Sequence, residues 1–150
     1  MVFKCGDIQR GFSLIELIAV MTIVSIISAT AIVRLMPSSL FELQAARDQV
    51  VAALFSAQQK ALFTPHAIRV ELLGGVVDVR QDDNDDGLFQ PSESIRVGAV
   101  QYPLTLVNGV QVSTHTINYN SLGETAAASI IISKGSKSVT TSLSASGFAQ

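Results

Sequence analysis

Cysteine, histidine and basic charge are all scarce in this chain of 150 residues. The one cysteine, Cys5, has no second thiol to meet, so no disulfide closes within the chain. His66 and His115 are the only histidines, and neither stands in an H-E-x-x-H pattern. A zinc site therefore lacks soft ligands, and structural roles are expected of both. Lys and Arg number 10 against 12 Asp and Glu, a formal net charge of −2, which argues against a general affinity for nucleic acid. The patterns G-x-S-x-G, G-x-x-x-x-G-K-[ST] and S-x-x-K are missing as well, so nucleophilic catalysis and phosphate cradling find no support. The expectation is a protein that is not an enzyme.

What the chain does have is an unbroken apolar run. Residues 14–33 carry one ionisable side chain, Glu16, and match the ~20 residues a helix needs to cross the hydrocarbon of a bilayer. A carboxylate at mid-bilayer costs roughly 2.5 to 3.5 kcal/mol, so Glu16 needs a compensating cation. If the chain is cut after Gly11, the new α-amino group of Phe12 lies four residues before Glu16 and can supply it, in cis or from a neighbouring subunit. Two plainer readings compete. A secretory signal peptide could use Ala29-Thr30-Ala31 for cleavage, but apolar signal cores run ~7 to 15 residues. An uncleaved single-pass anchor is the other. Neither explains why Gly11-Phe12 and Glu16 fall in this register.

The segment Arg10-Gly11-Phe12-Ser13-Leu14-Ile15-Glu16 resembles the class III signal of type IV pilins and type II secretion pseudopilins. The shared features are a short basic leader, Gly before the cut, Phe after it and Glu at the fifth mature position. The resemblance implies that a prepilin peptidase cuts between Gly11 and Phe12 and methylates the Phe12 nitrogen. It also implies that Glu16 neutralises the amine of the adjacent subunit during filament assembly. Other pilins or pseudopilins and the inner-membrane assembly platform would be the partners. The implied location is the inner membrane of a Gram-negative bacterium, N-terminus cytoplasmic and C-terminal domain periplasmic, and then the filament. Lys4 and Arg10 before the run and Arg34 after it give a two-to-one bias in the same direction. Many major pilins clamp their C-terminal region with a disulfide; a chain with Cys5 alone departs from them, which favours a minor subunit.

Beyond the apolar run, Leu43, Ala46, Val50, Ala53, Leu54, Ala57 and Ala61 recur every three or four residues and predict an amphipathic helix over 40–62. Ser39 with Glu42 reads as a capping box, Pro37 predicts a kink or break, and Thr64-Pro65 ends the helix. The rest, rich in Val, Ile, Thr and Ser between glycine turns, predicts antiparallel strands at 68–72, 76–80, 94–100, 104–107, 116–119, 129–133 and 138–143. Gly74-Gly75 and Lys134-Gly135-Ser136 are the expected hairpin turns. The amphipathic helix must bury its stripe on this sheet, giving an α+β fold. The expected organisation is a leader at 1–11, a transmembrane helix at 12–36, an amphipathic helix at 37–64 and a β domain at 65–150. This stretch is similar to the GspH/FimT-like class of pseudopilins and minor pilins, and its helix to minor pilins of mannose-sensitive haemagglutinin type pili. By that resemblance the two helical stretches form one long pilin helix. Some members of the class take up DNA through basic residues near the C-terminus, but residues 142–150 hold no Lys or Arg, and Phe148 stands where one would help. Adhesion through the β domain, or service in a secretion system, are the other roles to weigh.

Asp82-Asp83-Asn84-Asp85-Asp86-Gly87-Leu88-Phe89-Gln90-Pro91-Ser92-Glu93 fits the calcium-loop pattern D-x-[DN]-x-[DN]-G-x5-E. Asp82, Asn84 and Asp86 could aim oxygens at one Ca²⁺, Leu88 could offer its carbonyl, and Glu93 could close the shell. A solvated acidic turn uses the same residue types, and both readings stand at this point.

Overall fold

The computed structural model describes residues 13–35, 38–107 and 109–150. They fall into two compact units, the first containing α1 (Leu14–Leu35) and the second running from Ser38 to Gln150. The expected leader, the Gly11–Phe12 junction and the expected break at Pro37 lie outside the described residues.

Helix α1 has no Gly or Pro to interrupt it, and the hydroxyls of Thr22 and Ser25 turn back onto its own carbonyls. Thr22 Oγ1 donates to Ile18 O and Ala19 O at 3.1 and 2.8 Å, and Ser25 Oγ to Met21 O at 2.7 Å. Such back-bonding satisfies the hydroxyls without water. The outer surface left behind is Leu, Ile, Val and Met, all exposed from Leu14 to Ile27. Among the described residues no helix is long and apolar enough to cross a membrane; the side chains of α1 are described only as far as Ser28, short of the expected span.

In the second unit, α2 (Ser38–Phe63) lies against an antiparallel sheet. Its strands are β1 (Ile68–Gly74), β2 (Val76–Gln81), β5 (Leu104–Thr105), β6 (Gln111–Tyr119), β7 (Ala128–Lys134) and β8 (Lys137–Leu143), in the order β5-β2-β1-β6-β7-β8. All seven residues of the expected helical stripe are buried, from Leu43 to Ala61. They meet Ile68, Val70, Leu72, Val77, Val79, Ile130, Ile132 and Leu143 from the sheet. The alanines at 46, 53, 57 and 61 let the helix backbone approach the strands, while each buried Leu, Val or Ile contributes about 1.5 to 3 kcal/mol. This is the α+β arrangement the periodicity demands.

Three expectations need correction. The capping box does not form: α2 already includes Ser38, Ser39 Oγ accepts from Lys137 Nζ at 3.0 Å, and Glu42 pairs with Lys134. Both side chains are drawn to the lysines of the β7–β8 turn, where a full charge outcompetes a backbone amide. The strand expected over 94–100 is instead a small separate hairpin, β3 (Arg96–Val97) with β4 (Val100–Gln101), because Gly98 turns the chain at φ +59°. Finally, β6 begins five residues before the expected Thr116. A bulge shifts its register against β1 between Leu72 and Gly74, so buried Val112 and buried Ile117 stand an odd number of residues apart. That breaks the alternation by which a strand is recognised.

Candidate functional site

Two regions carry the residues singled out in the sequence. The first is the start of α1. Ser13 O accepts the amides of Glu16 and Leu17 at 3.0 and 3.1 Å, so Glu16 lies in the opening turn, and its side chain is exposed. A carboxylate there faces the positive end of the helix dipole. Around and beyond it the described surface of α1 is apolar, with Leu14, Ile15, Leu17 and Ile18 each at least half exposed. Such a face in a single subunit needs either lipid or other helices to cover it.

The second region is the acidic loop between β2 and β3. Asp82, buried at its base, accepts the amides of Asp86 and Gly87 at 3.1 and 2.9 Å, one on each carboxylate oxygen. Asn84 Oδ1 also accepts from Asp86 N at 3.1 Å, and Asp86 Oδ1 accepts from Leu88 N at 2.7 Å. Asp85 takes φ +57° and Gly87 φ +77°, left-handed conformations that Asp tolerates and Gly adopts freely. Glu93 accepts Gln90 N at 2.7 Å at the start of a 3₁₀ turn, Pro91–Glu93. The loop is thus closed by its own amides. Among the described residues no three Asp, Glu, His or Cys side chains are arranged to hold a metal ion.

Charge is arranged on both sides of this loop. His66, just past α2, meets Asp85 with Nδ1 3.0 Å from Oδ1. That hydrogen bond raises the imidazole pKa above its ordinary value, against a smaller opposing effect of burial, with further help from the charges of Asp85, Asp83 and Asp82. The returning half of the loop is held to the sheet by Arg80. Its guanidinium meets Asp78 at 2.8 Å and Glu71 at 2.9 Å, and donates to Phe89 O at 3.0 Å. Ser94 Oγ donates to the same Asp78 oxygen at 3.0 Å, and Arg69 stacks over the Phe89 ring at 4.0 Å. Sequence reasoning missed this anchor. Its signal was available in the hairpin, since Glu71 stands directly opposite Asp78 and two like charges across a ladder call for a cation between them. Gln58 was missed too: its amide leaves α2 to donate to Gly123 O at 3.2 Å and Ser146 O at 2.8 Å, tying two distant turns to the helix.

Residues 7–32, which include Gly11, Phe12 and Glu16, match the prokaryotic N-terminal methylation motif. No curated protein matches the chain. Among solved structures, the type IV minor pilin FimU of Pseudomonas aeruginosa is 18% identical over 76% of this chain and 91% of its own, with a TM-score of 0.54. The minor pseudopilin EpsH of the Type 2 Secretion System of Vibrio cholerae is 14% identical over 73% of this chain and 94% of its own, with a TM-score of 0.59. At these identities the likeness is one of fold. The chain carries the N-terminal methylation motif of prokaryotic pilins ahead of a domain folded like those of a minor pilin and a minor pseudopilin.

Proposed function

We propose that the chain is a minor pilin or pseudopilin, a structural subunit that primes or caps a type IV pilus or a type II secretion pseudopilus. The observation that carries this reading is the methylation motif over residues 7–32 in front of a domain with the fold of FimU and EpsH. In this account a prepilin peptidase cuts between Gly11 and Phe12 and methylates the new amine. The subunit is held by its apolar helix in the inner membrane, β domain in the periplasm, until the assembly platform passes it to the filament. The partners are other pilins or pseudopilins.

The chemistry is charge neutralisation in an apolar medium. Glu16 is the one carboxylate in the run 14–33. Left unpaired among helices it costs several kcal/mol, and paired with the Phe12 amine of the adjacent subunit it costs far less. A subunit out of register leaves both charges bare, so the pair selects the docking position as well as stabilising it. Glu16→Ala should leave processing intact and reduce incorporation into filaments about tenfold or more, on the scale of roughly 1.4 kcal/mol per factor of ten. Immunoblots of sheared filaments against membrane fractions measure this, and wild-type incorporation of the variant would contradict it.

Calcium at Asp82, Asn84, Asp86, Leu88 and Glu93 is proposed on the sequence pattern. Binding would require Glu93 to exchange the Gln90 amide for the ion.

A further inference from the structure

Among the described residues, strand β2 meets two short segments along the edge away from β1. β5 pairs with it at Val76 and Val77, and the chain just before β3 meets it at Val79 and Arg80, where Ile95 N donates to Val79 O at 2.9 Å. The two segments leave Asp78 between them. Val77 and Val79 belong to the core under α2, so Val76, Asp78 and Arg80 face the other side of the sheet, with Leu73 opposite Val76 and Glu71 opposite Asp78 on β1. Pro91, Ser94 and Pro103 meet these side chains around a cavity of about 270 Å³.

Asp78 is the unusual member of the lining, a carboxylate only 5% exposed. Its Oδ2 accepts both Arg80 Nε at 2.8 Å and Ser94 Oγ at 3.0 Å, while among the described residues nothing donates to its buried Oδ1. A buried carboxylate oxygen without a donor costs more than a neutral one, because charge has been taken out of water. Glu71 is better served: Arg80 meets its Oε2 at 2.9 Å and Arg69 its Oε1 at 3.9 Å. Arg69 lies outside the lining, over the Phe89 ring. Within the lining Glu71 and Asp78 stand against Arg80 alone, so one further cation balances the charge.

Size and chemistry together select what such a cavity takes. It is smaller than the ~300 Å³ at which pockets for drug-sized molecules begin, so it suits a single side chain or a molecule of that size. An anion would be repelled by Asp78 and Glu71, and a divalent metal ion by Arg80, which sits on both carboxylates. One free oxygen suits the point charge of an ammonium, whereas the planar fork of a guanidinium calls for two. Leu73, Val76, Pro91 and Pro103 supply the rest of the wall, an apolar surface along which methylenes can lie while their head group stays with the carboxylate.

We propose that this cavity binds a primary alkylammonium group, the chemistry of a lysine side chain, with the nitrogen on Asp78 Oδ1 and the methylenes along Leu73, Val76 and Pro103. The site stands apart from the filament reading, since neither processing nor assembly enters it. The probes are Nα-acetyl-lysine N-methylamide and n-butylammonium, added to the purified full chain in non-ionic detergent and an amine-free buffer and followed by NMR. Both should shift the Asp78 and Ser94 amides saturably; a response to butylammonium alone would keep the ammonium site and name a free amine as its source. The norleucine analogue, which has the stem without the charge, should leave those amides unshifted, and the arginine analogue should bind about fivefold or more weaker than lysine. Asp78→Asn keeps an oxygen for Arg80 and Ser94 but puts an amide donor in place of Oδ1, so it should weaken binding about tenfold or more. The absence of saturable shifts in the wild-type chain, an equal response to the norleucine or arginine analogue, or unchanged affinity in Asp78→Asn would overturn the proposal.

Discussion

Gly147 is the most crowded of the described glycines. It takes φ +82°, and a methyl group on its Cα would come within 2.1 Å of Gly123 O and 2.6 Å of Gln58 Nε2. The first of these is backbone and cannot yield without moving the turn at 120–124. Gly147→Ala should therefore lower unfolding stability by about 2 to 3 kcal/mol, adding left-handed strain to overpacking. Urea unfolding measures it, and a loss under about half a kcal/mol would mean that the two turns are not clamped together as described. The His66–Asp85 pair is a residue-scale prediction of another kind. Its folded pKa is raised from 6.5, so its contribution is fully present below pH 6.5 and is lost as pH rises through the higher folded value. NMR titration should find His66 above 6.5, and Asp85→Asn should bring it down; the pair is exposed, so the effect on stability is small.

Among the elements, the acidic loop is the one with a decisive test. Its base is fixed on the sheet by Arg80 between Asp78 and Glu71, while Asp83, Asp85 and Asp86 remain exposed at its tip. If Ca²⁺ binds there, it relieves repulsion among those carboxylates and draws Glu93 from Gln90. Millimolar Ca²⁺ should then raise the melting temperature, and Glu93→Gln should abolish most of the rise. An unchanged melting temperature in Ca²⁺ would remove calcium from the account. Legibility differed sharply between elements, for physical reasons. The buried face of α2 could be read because a lone helix on a sheet obeys one period, and the β7–β8 hairpin because Gly135 supplies the positive φ its turn needs. β6 could not be read to its full length, since the bulge changes which parity is buried. Nor could the fate of Ser39 and Glu42, whose lysine partners are more than ninety residues away.

At the scale of the whole molecule, an N-terminal unit with an exposed apolar surface is joined to a domain that buries its own core. In the proposed reading the first would provide the attachment and the second the surface that neighbouring subunits meet. The residues proposed for the first role, Gly11, Phe12 and Glu16, could be named from the sequence because they lie together in one short segment that resembles the pilin signal. The most direct test of the central claim is the mass of the N-terminal peptide from cells with and without prepilin peptidase. The account predicts N-methylated Phe12 when the peptidase is present and an uncut Gly11–Phe12 bond when it is absent; an intact Met1 in both strains, or a terminus at Ile32, would contradict it.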